Sequence, residues 1–153
     1  MSRRFPEDVS YMREALVLAR RAGEADEVPV GCLIVSNGRI IGRAGNRIRR
    51  EKNPAAHAEV LAIQKAARRL NNERISGTVL YSTIEPCAMC AGAIVLARVA
   101  RVVYGAKDPK TGACGSVFRV IPSKKLNHRP QLTSGVLGDE CGLLIRDFFR
   151  RRR

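Results

Sequence analysis

Two short stretches decide how this chain is organised: Asn53-Pro-Ala-Ala-His-Ala-Glu59, and later Glu85-Pro-Cys-Ala-Met-Cys90. Each contains a proline of the kind that begins helices, because its fixed φ suits a first turn. Cysteines three positions apart share one face of a helix, and side chains of a first turn lean beyond the helix N-terminus. The two stretches therefore predict two helix beginnings whose His and Cys side chains converge on one point.

The residues that converge there suit a metal ion. His57, Cys87 and Cys90 make three ligands, whereas a closed structural zinc site needs four, so one position is left for water as in a catalytic zinc site. Two thiolates balance the charge of Zn²⁺, and helix N-termini favour thiolates. Glu59 lies beside a ligand without being needed as one, and is placed to transfer protons.

Other interpretations of the cysteines depend on whether a fourth ligand exists. Cys-x-x-Cys alone would also fit a redox pair or half of a structural zinc site. Four other residues could supply a fourth ligand. Cys32 and Cys141 are expected to be thiols buried in apolar surroundings, and Cys114 lies in a Gly-rich loop. His128 is expected either to brace its loop or to face RNA.

Helical and strand patterns alternate along the rest of the chain. Asn37-Gly38 tolerates the positive φ of a tight hairpin turn, so the apolar runs on either side are predicted to be paired antiparallel strands. Helices are predicted from Pro6, from Asn53-Pro54 to about Leu70, from Pro86 to about Arg98 and from about Asp139, and further strands over 78–83, 101–105 and 131–136.

This alternation predicts an α/β fold in which helices cover a mixed sheet, with parallel strands wherever a helix intervenes. The chain has 153 residues and no repeat or linker, so we expect a single domain over residues 1–153. Since no apolar run reaches 18 residues, no membrane span is expected. An odd number of cysteines and no apolar leader favour a reducing compartment, the cytoplasm.

Charge points to a polyanionic partner. Lys and Arg number 28 against 14 Asp and Glu, which gives a formal net charge of +14. Nucleic acid is the commonest cytoplasmic polyanion, although an acidic protein, membrane headgroups or simply a solvated face would also explain the excess. The basic residues cluster at 47–52, at 124–129, and at Arg146 and Arg150–Arg153.

His-Ala-Glu followed by Pro-Cys-x-x-Cys resembles the zinc-dependent cytidine and nucleobase deaminases. Further stretches, among them Val28-Pro-Val-Gly, Arg101-Val-Val-Tyr-Gly-Ala-Lys-Asp and Asn127-His-Arg, are similar to the bacterial tRNA adenosine deaminase branch of that family. The resemblance implies a three-layer α/β/α fold around five strands, one Zn²⁺ per subunit and a homodimer. It also implies deamination of adenosine to inosine at the wobble position of a tRNA anticodon stem-loop, with Glu59 moving the protons.

The same resemblance implies contacts with the nucleotide. Asn46 matches a base-contacting asparagine, although Asn also suits a turn at the end of a strand. Asp108 would accept a hydrogen bond from a nucleotide hydroxyl. Apart from the resemblance, the basic and aromatic C-terminal end predicts that Arg150 contacts phosphate and that Phe149 stacks on a base or packs the last helix.

Two alternative functions share part of this pattern. A deaminase of free guanine- or cytosine-type nucleobases or nucleosides needs every residue of the zinc site, but would be indifferent to salt. A non-catalytic RNA-binding module with a structural zinc would need a fourth protein ligand.

Overall fold

The computed structural model describes residues 5–152, so Arg153 of the basic tail lies outside the described residues. It contains five helices and five strands. The helices are α1 Asp8–Glu24, α2 Ile48–Glu51, α3 Ala58–Leu70, α4 Ala88–Leu96 and α5 Gly138–Arg151. The strands are β1 Gly31–Ser36, β2 Arg39–Gly45, β3 Val79–Ile84, β4 Arg101–Ala106 and β5 Gln131–Thr133.

The strands form one mixed sheet in the order β2-β1-β3-β4-β5. β1 pairs antiparallel with both β2 and β3, whereas β3, β4 and β5 run parallel. Asn37 and Gly38 have φ values of 49° and 76°, as a hairpin turn of this kind requires. The predicted hairpin and mixed sheet are confirmed.

Helices cover both faces of the sheet, because side chains alternate between the faces along each strand. One apolar cluster joins α3 and α4 to Cys32, Ile34, Leu80 and Val102. The other joins α1 and α5 to Leu33, Val35, Tyr81 and Val103. This confirms the three-layer α/β/α architecture.

The prolines do not begin the two central helices, which is a correction to the sequence-based boundaries. Asn53 accepts a hydrogen bond from the backbone N–H of Ala55 and caps a tight turn, so α3 begins only at Ala58. α4 likewise begins at Ala88. In both cases an extended residue must follow the proline before the chain can turn into the helix.

Two further elements differ from the sequence prediction. The four-residue helix α2 was not predicted, and β5 ends at Thr133 rather than near Val136. α2 is too short to show a periodic pattern, and its N-terminus is capped from elsewhere in the chain: Glu27 accepts hydrogen bonds from the backbone N–H groups of Arg49 and Arg50. Within residues 5–152, no helix combines the length and apolarity that crossing a bilayer requires.

Candidate metal centre and active site

The centre lies between the beginnings of α3 and α4. His57 and Cys87 are the residues immediately before these helices, and both are extended, with ψ values of 148° and 176°. Cys90 follows in the first turn of α4 and is buried. Helix N-termini carry partial positive charge, so both helices favour anionic sulfur at this point.

The three ligand atoms are spaced as a metal site requires. His57 Nδ1 lies 3.7 Å from Cys87 Sγ and 3.5 Å from Cys90 Sγ. Zinc–nitrogen bonds of about 2.0 Å and zinc–sulfur bonds of about 2.3 Å, at a tetrahedral angle, separate nitrogen from sulfur by roughly 3.5 Å. The donor set and its spacing therefore fit one zinc ion.

The two thiols compete for one proton. A hydrogen bond from Cys90 lowers the pKa of Cys87 to about 4, against the opposing effect of burial. The same hydrogen bond, together with burial, raises the pKa of Cys90. A cation bound between the sulfurs would take the place of this shared proton, because a coordinating thiol is deprotonated outright.

Glu59 lies in the first turn of α3, and only 3% of its surface is exposed. Burial raises its pKa to about 7. Within residues 5–152, no other His, Cys, Asp or Glu, including Glu59, joins the ligand group of His57, Cys87 and Cys90. The carboxyl group is thus next to the centre and outside its ligand set.

Asn46 joins the end of β2 to the beginning of α3. Its Oδ1 accepts a hydrogen bond of 2.8 Å from the backbone N–H of Ala58, and its Nδ2 donates to the carbonyl of Val28 at 3.1 Å. An amide nitrogen carries two hydrogens, so one remains after the bond to Val28. Asn46 therefore braces the segment that carries His57, and the second hydrogen of its amide group can still be donated.

A cavity of about 980 Å³ lies between α5 and the segment 105–111, at the same end of the sheet as the centre. Asp108 and Phe149 line it, whereas His57, Glu59 and the cysteines do not. The Asp108 carboxylate accepts hydrogen bonds from the backbone N–H groups of Lys110 and Thr111 and from the Thr111 hydroxyl. The structure therefore places Asp108 in a cavity wall, where it also holds its own turn.

The basic and aromatic residues of α5 are divided between packing and exposure. Phe148 is half-buried, and the Arg152 guanidinium lies 4.1 Å above its ring. Phe149 is 47% exposed, and the Arg150 side chain is 74% exposed beside Asp147. Phe149 thus reaches the cavity, while Arg150 projects from the outer side of the helix.

The remaining cysteines and histidine do not approach the centre closely enough to be ligands. Cys32, Cys114 and Cys141 are buried, and burial raises the pKa of the latter two thiols to about 12. His128 Nε2 donates a hydrogen bond to the carbonyl of Val99 at 2.6 Å, which favours the loop-bracing interpretation.

One site residue was missed by sequence reasoning. Glu85, to which the sequence pattern assigned no role, is 1% exposed and accepts hydrogen bonds from the 108–116 loop. The available signal was the loop itself: a Gly-rich segment has many backbone N–H groups, and those that become buried must find acceptors.

Comparison with known proteins agrees with this geometry. Residues 6–106 match the family described as the cytidine and deoxycytidylate deaminase zinc-binding region. The chain is 46% identical over 147 residues to the tRNA-specific adenosine deaminase of Bacillus subtilis, covering 96% of this chain and 91% of that one.

Solved structures give the same result. One, from a study of A-to-I editing by tRNA A34 deaminases, superimposes with a TM-score of 0.85 and 46% identity, covering 88% of this chain and 99% of that chain. Guanine deaminase from Nitrosomonas europaea superimposes with a TM-score of 0.77 and 25% identity, covering 97% and 86% respectively. The chain therefore belongs to the zinc-binding cytidine and deoxycytidylate deaminase family.

Proposed function

We propose that this protein is a zinc-dependent hydrolase, a single deaminase domain that converts adenosine to inosine at the wobble position of a tRNA anticodon loop. The observation that carries the proposal is a three-ligand zinc site beside a buried non-ligand carboxylate. The choice of tRNA adenosine rests on near-full-length similarity to a tRNA-specific adenosine deaminase and to a wobble-position A34 deaminase structure.

His57, Cys87 and Cys90 are the residues that would hold the zinc ion. The chemistry that zinc supplies when bound is the activation of water for attack near neutral pH. Glu59 takes a proton from the attacking water and returns protons to the purine ring and the departing amine. Water and adenosine are thereby converted to inosine and ammonia, with Glu59 regenerated.

The positions of four side chains support the proposed substrate contacts. Asn46 offers its remaining amide hydrogen to the base while it braces the beginning of α3. Asp108 and Phe149 both line the large cavity. Asp108 contacts the ribose hydroxyls, and Phe149 stacks on a base. Arg150 contacts a phosphate of the stem-loop, because its side chain is mostly exposed.

An anticodon stem-loop suits both the charge and the shape of this protein. A net charge of +14 attracts a dense row of phosphates, whereas it adds little to the binding of a free nucleoside, which has no phosphate. Single-stranded loops present splayed bases that can enter a pocket without the cost of opening a duplex. A tRNA substrate also supports our proposal that the protein acts in the cytoplasm.

The protein is also proposed to act as a homodimer. The outer surface of α4 carries Met89 and Leu96, which are 41% and 77% exposed. Large apolar side chains left in contact with water on one helix mark a surface that a second subunit can cover.

The test incubates zinc-loaded protein with a tRNA that carries an unmodified wobble adenosine and measures inosine by reverse transcription. We expect conversion that weakens steeply as salt rises, because phosphate binding releases counterions. Failure to form inosine on any such tRNA would contradict the proposal.

The likeness to a guanine deaminase supports one alternative, a deaminase of free nucleobases or nucleosides. The same zinc-loaded protein is therefore assayed on free adenosine, guanine and cytosine. Turnover equal to that on tRNA and indifferent to salt would favour the alternative, whereas preference for the stem-loop would exclude it.

A further inference from the structure

We propose that Glu85 is a positioning residue: its carboxylate fixes the 108–116 loop against the beginning of α4 and so holds Asp108 in the wall of the large cavity. The inference rests on the proposed function, in which Asp108 contacts the nucleotide. Glu85 itself touches neither the substrate nor the metal.

The Glu85 carboxylate accepts hydrogen bonds from both ends of the loop. Its Oε1 accepts a hydrogen bond from the backbone N–H of Asp108 at 3.1 Å and another from the Ser116 hydroxyl. Its Oε2 accepts from the backbone N–H groups of Cys114 at 2.9 Å and Ser116 at 3.1 Å. Four donors from one loop thus end on a single side chain that is 1% exposed.

The position of Glu85 in the chain joins the loop to the metal centre. It follows β3 directly and precedes Cys87 by two residues. The loop also binds the backbone of this segment, since Ala113 donates to the carbonyl of Pro86 at 2.8 Å and Gly112 pairs with Cys87. The loop is therefore held in two ways, by the Glu85 side chain and by backbone contacts with the residues beside it, and Glu85→Gln removes only the first.

Gly112 shows how closely the loop passes the carboxylate. A Cβ atom at this position would overlap the Glu85 carboxyl group and come within 2.6 Å of the Asp108 carbonyl oxygen. Only glycine leaves room for the loop to close on Glu85. The fit therefore depends on residues from both sides of the contact.

The donors require an anion rather than an amide. A carboxylate only accepts hydrogen bonds, and it matches four donors, whereas glutamine would turn an NH₂ group towards N–H groups. Within residues 5–152, no Lys or Arg forms an ion pair with Glu85. The loop's own dipoles are thus what stabilises the buried charge.

The experiment measures kcat and KM separately, on an anticodon stem-loop RNA with a wobble adenosine, for wild type, Glu85→Gln and Asp8→Asn. Glu85→Gln should keep one zinc per chain and raise KM about tenfold or more, with a smaller change in kcat, because the zinc ligands and Glu59 stay in place. Asp8→Asn, which removes a buried carboxylate at the other end of the fold, should leave both constants unchanged at temperatures where it is folded.

Two further variants approach the same contact from the loop side and serve if Glu85→Gln does not fold. Gly112→Ala crowds the carboxylate, and Ser116→Ala removes one donor. Both should raise KM with zinc retained, Ser116→Ala by only about twofold to fivefold. An unchanged KM in folded, zinc-loaded variants, or a loss of zinc that accounts for their defect, overturns the positioning role. An inactive wild type contradicts the proposed function instead.

Discussion

Two buried carboxylates at opposite ends of the central strands are surrounded very differently. Asp8, at the beginning of α1, is 1% exposed and accepts hydrogen bonds from the Arg101 guanidinium and the Tyr81 hydroxyl. Glu59, near the carboxyl end of β3, is 3% exposed, and no Lys or Arg of residues 5–152 forms an ion pair with it.

The surroundings move the two pKa values in opposite directions. Burial acts to raise the pKa of Asp8, but hydrogen bonds from Arg101, the Phe5 backbone and Tyr81 outweigh it, so the pKa falls below its ordinary 3.8. Burial raises the pKa of Glu59 to about 7. A buried charge surrounded by protein donors serves stability, whereas one left without a cationic partner beside a metal centre is suited to chemistry.

The largest expected effect comes from removing a metal ligand. Cys87→Ala should lose bound zinc and reduce deamination below detection, because two ligands cannot hold the ion in place. Zinc content by atomic absorption and inosine formation on tRNA measure the two losses. Cys141→Ala is the control, since this thiol is buried on the α1/α5 face and is not a metal ligand. A Cys87→Ala protein that retained both zinc and activity would contradict the assignment of Cys87 as a metal ligand.

Glu59→Gln tests the chemical role of the second carboxylate. Zinc should remain bound, while the single-turnover rate of deamination falls by about 10²–10⁴-fold through loss of the proton carrier. Thermal unfolding should show no loss of stability, because no ion pair with a Lys or Arg of residues 5–152 is broken. A rate within a few-fold of wild type would show that another group moves the protons.

The sequence was sufficient for the architecture and for the set of residues at the metal centre. The period-two and helical patterns of apolar residues predicted the sheet and the helices that cover it. The spacing of Cys87 and Cys90 predicted that both lie on one face of a helix. The exact helix beginnings were not predictable, because an Asx turn at Asn53 and a proline-initiated helix use the same residues. The choice between the turn and the helix depends on where His57 lies in the folded structure.

The buried carboxylates outside the metal centre were the part that the sequence could not assign. Asp8, Glu27 and Glu85 each look like an ordinary surface residue in the sequence. Their acceptors are satisfied by groups far along the chain, such as Arg101 for Asp8 and the loop beginning at Asp108 for Glu85. Local patterns carry no information about such distant donors.

Asp8→Asn tests the structural carboxylate. It should lower the free energy of unfolding by about 3 kcal/mol, because Arg101 remains buried without its charged partner. Deamination of tRNA should be unchanged at temperatures where the variant is folded. Urea denaturation measures the first effect, and Asp26→Asn is the control: its ion pairs with Arg49 and Arg152 are exposed, so the change should be small. Equal effects of the two variants would contradict the distinction.

The pH dependence sharpens the same point. Because folding lowers the pKa of Asp8, its ionised form contributes stability that is complete above about pH 4 and is lost as the pH falls through the folded value. The difference in unfolding free energy between wild type and Asp8→Asn should therefore be constant from about pH 5 to 7 and shrink in more acidic solution. Urea denaturation at each pH measures it; a difference that grows on acidification would contradict the lowered pKa.

The smallest expected effect tests whether RNA binding depends on the position of a basic residue or on the net charge of the protein alone. Arg150 on α5 and Arg39 at the β1–β2 hairpin are both exposed and contribute one charge each. They lie in different regions: α5 borders the large cavity, at the same end of the sheet as the metal centre, whereas the hairpin lies near Arg101 at the Asp8 end.

Each phosphate contact contributes about 0.7–0.9 to the slope of log affinity against log salt. Arg150→Ala should reduce the slope for stem-loop binding by about that amount, whereas Arg39→Ala should leave it unchanged. Fluorescence anisotropy over a series of salt concentrations measures both slopes. If the two variants changed the slope equally, the excess of basic residues would attract RNA without orienting it. The end of the molecule that holds the metal centre would then have no privileged role in binding.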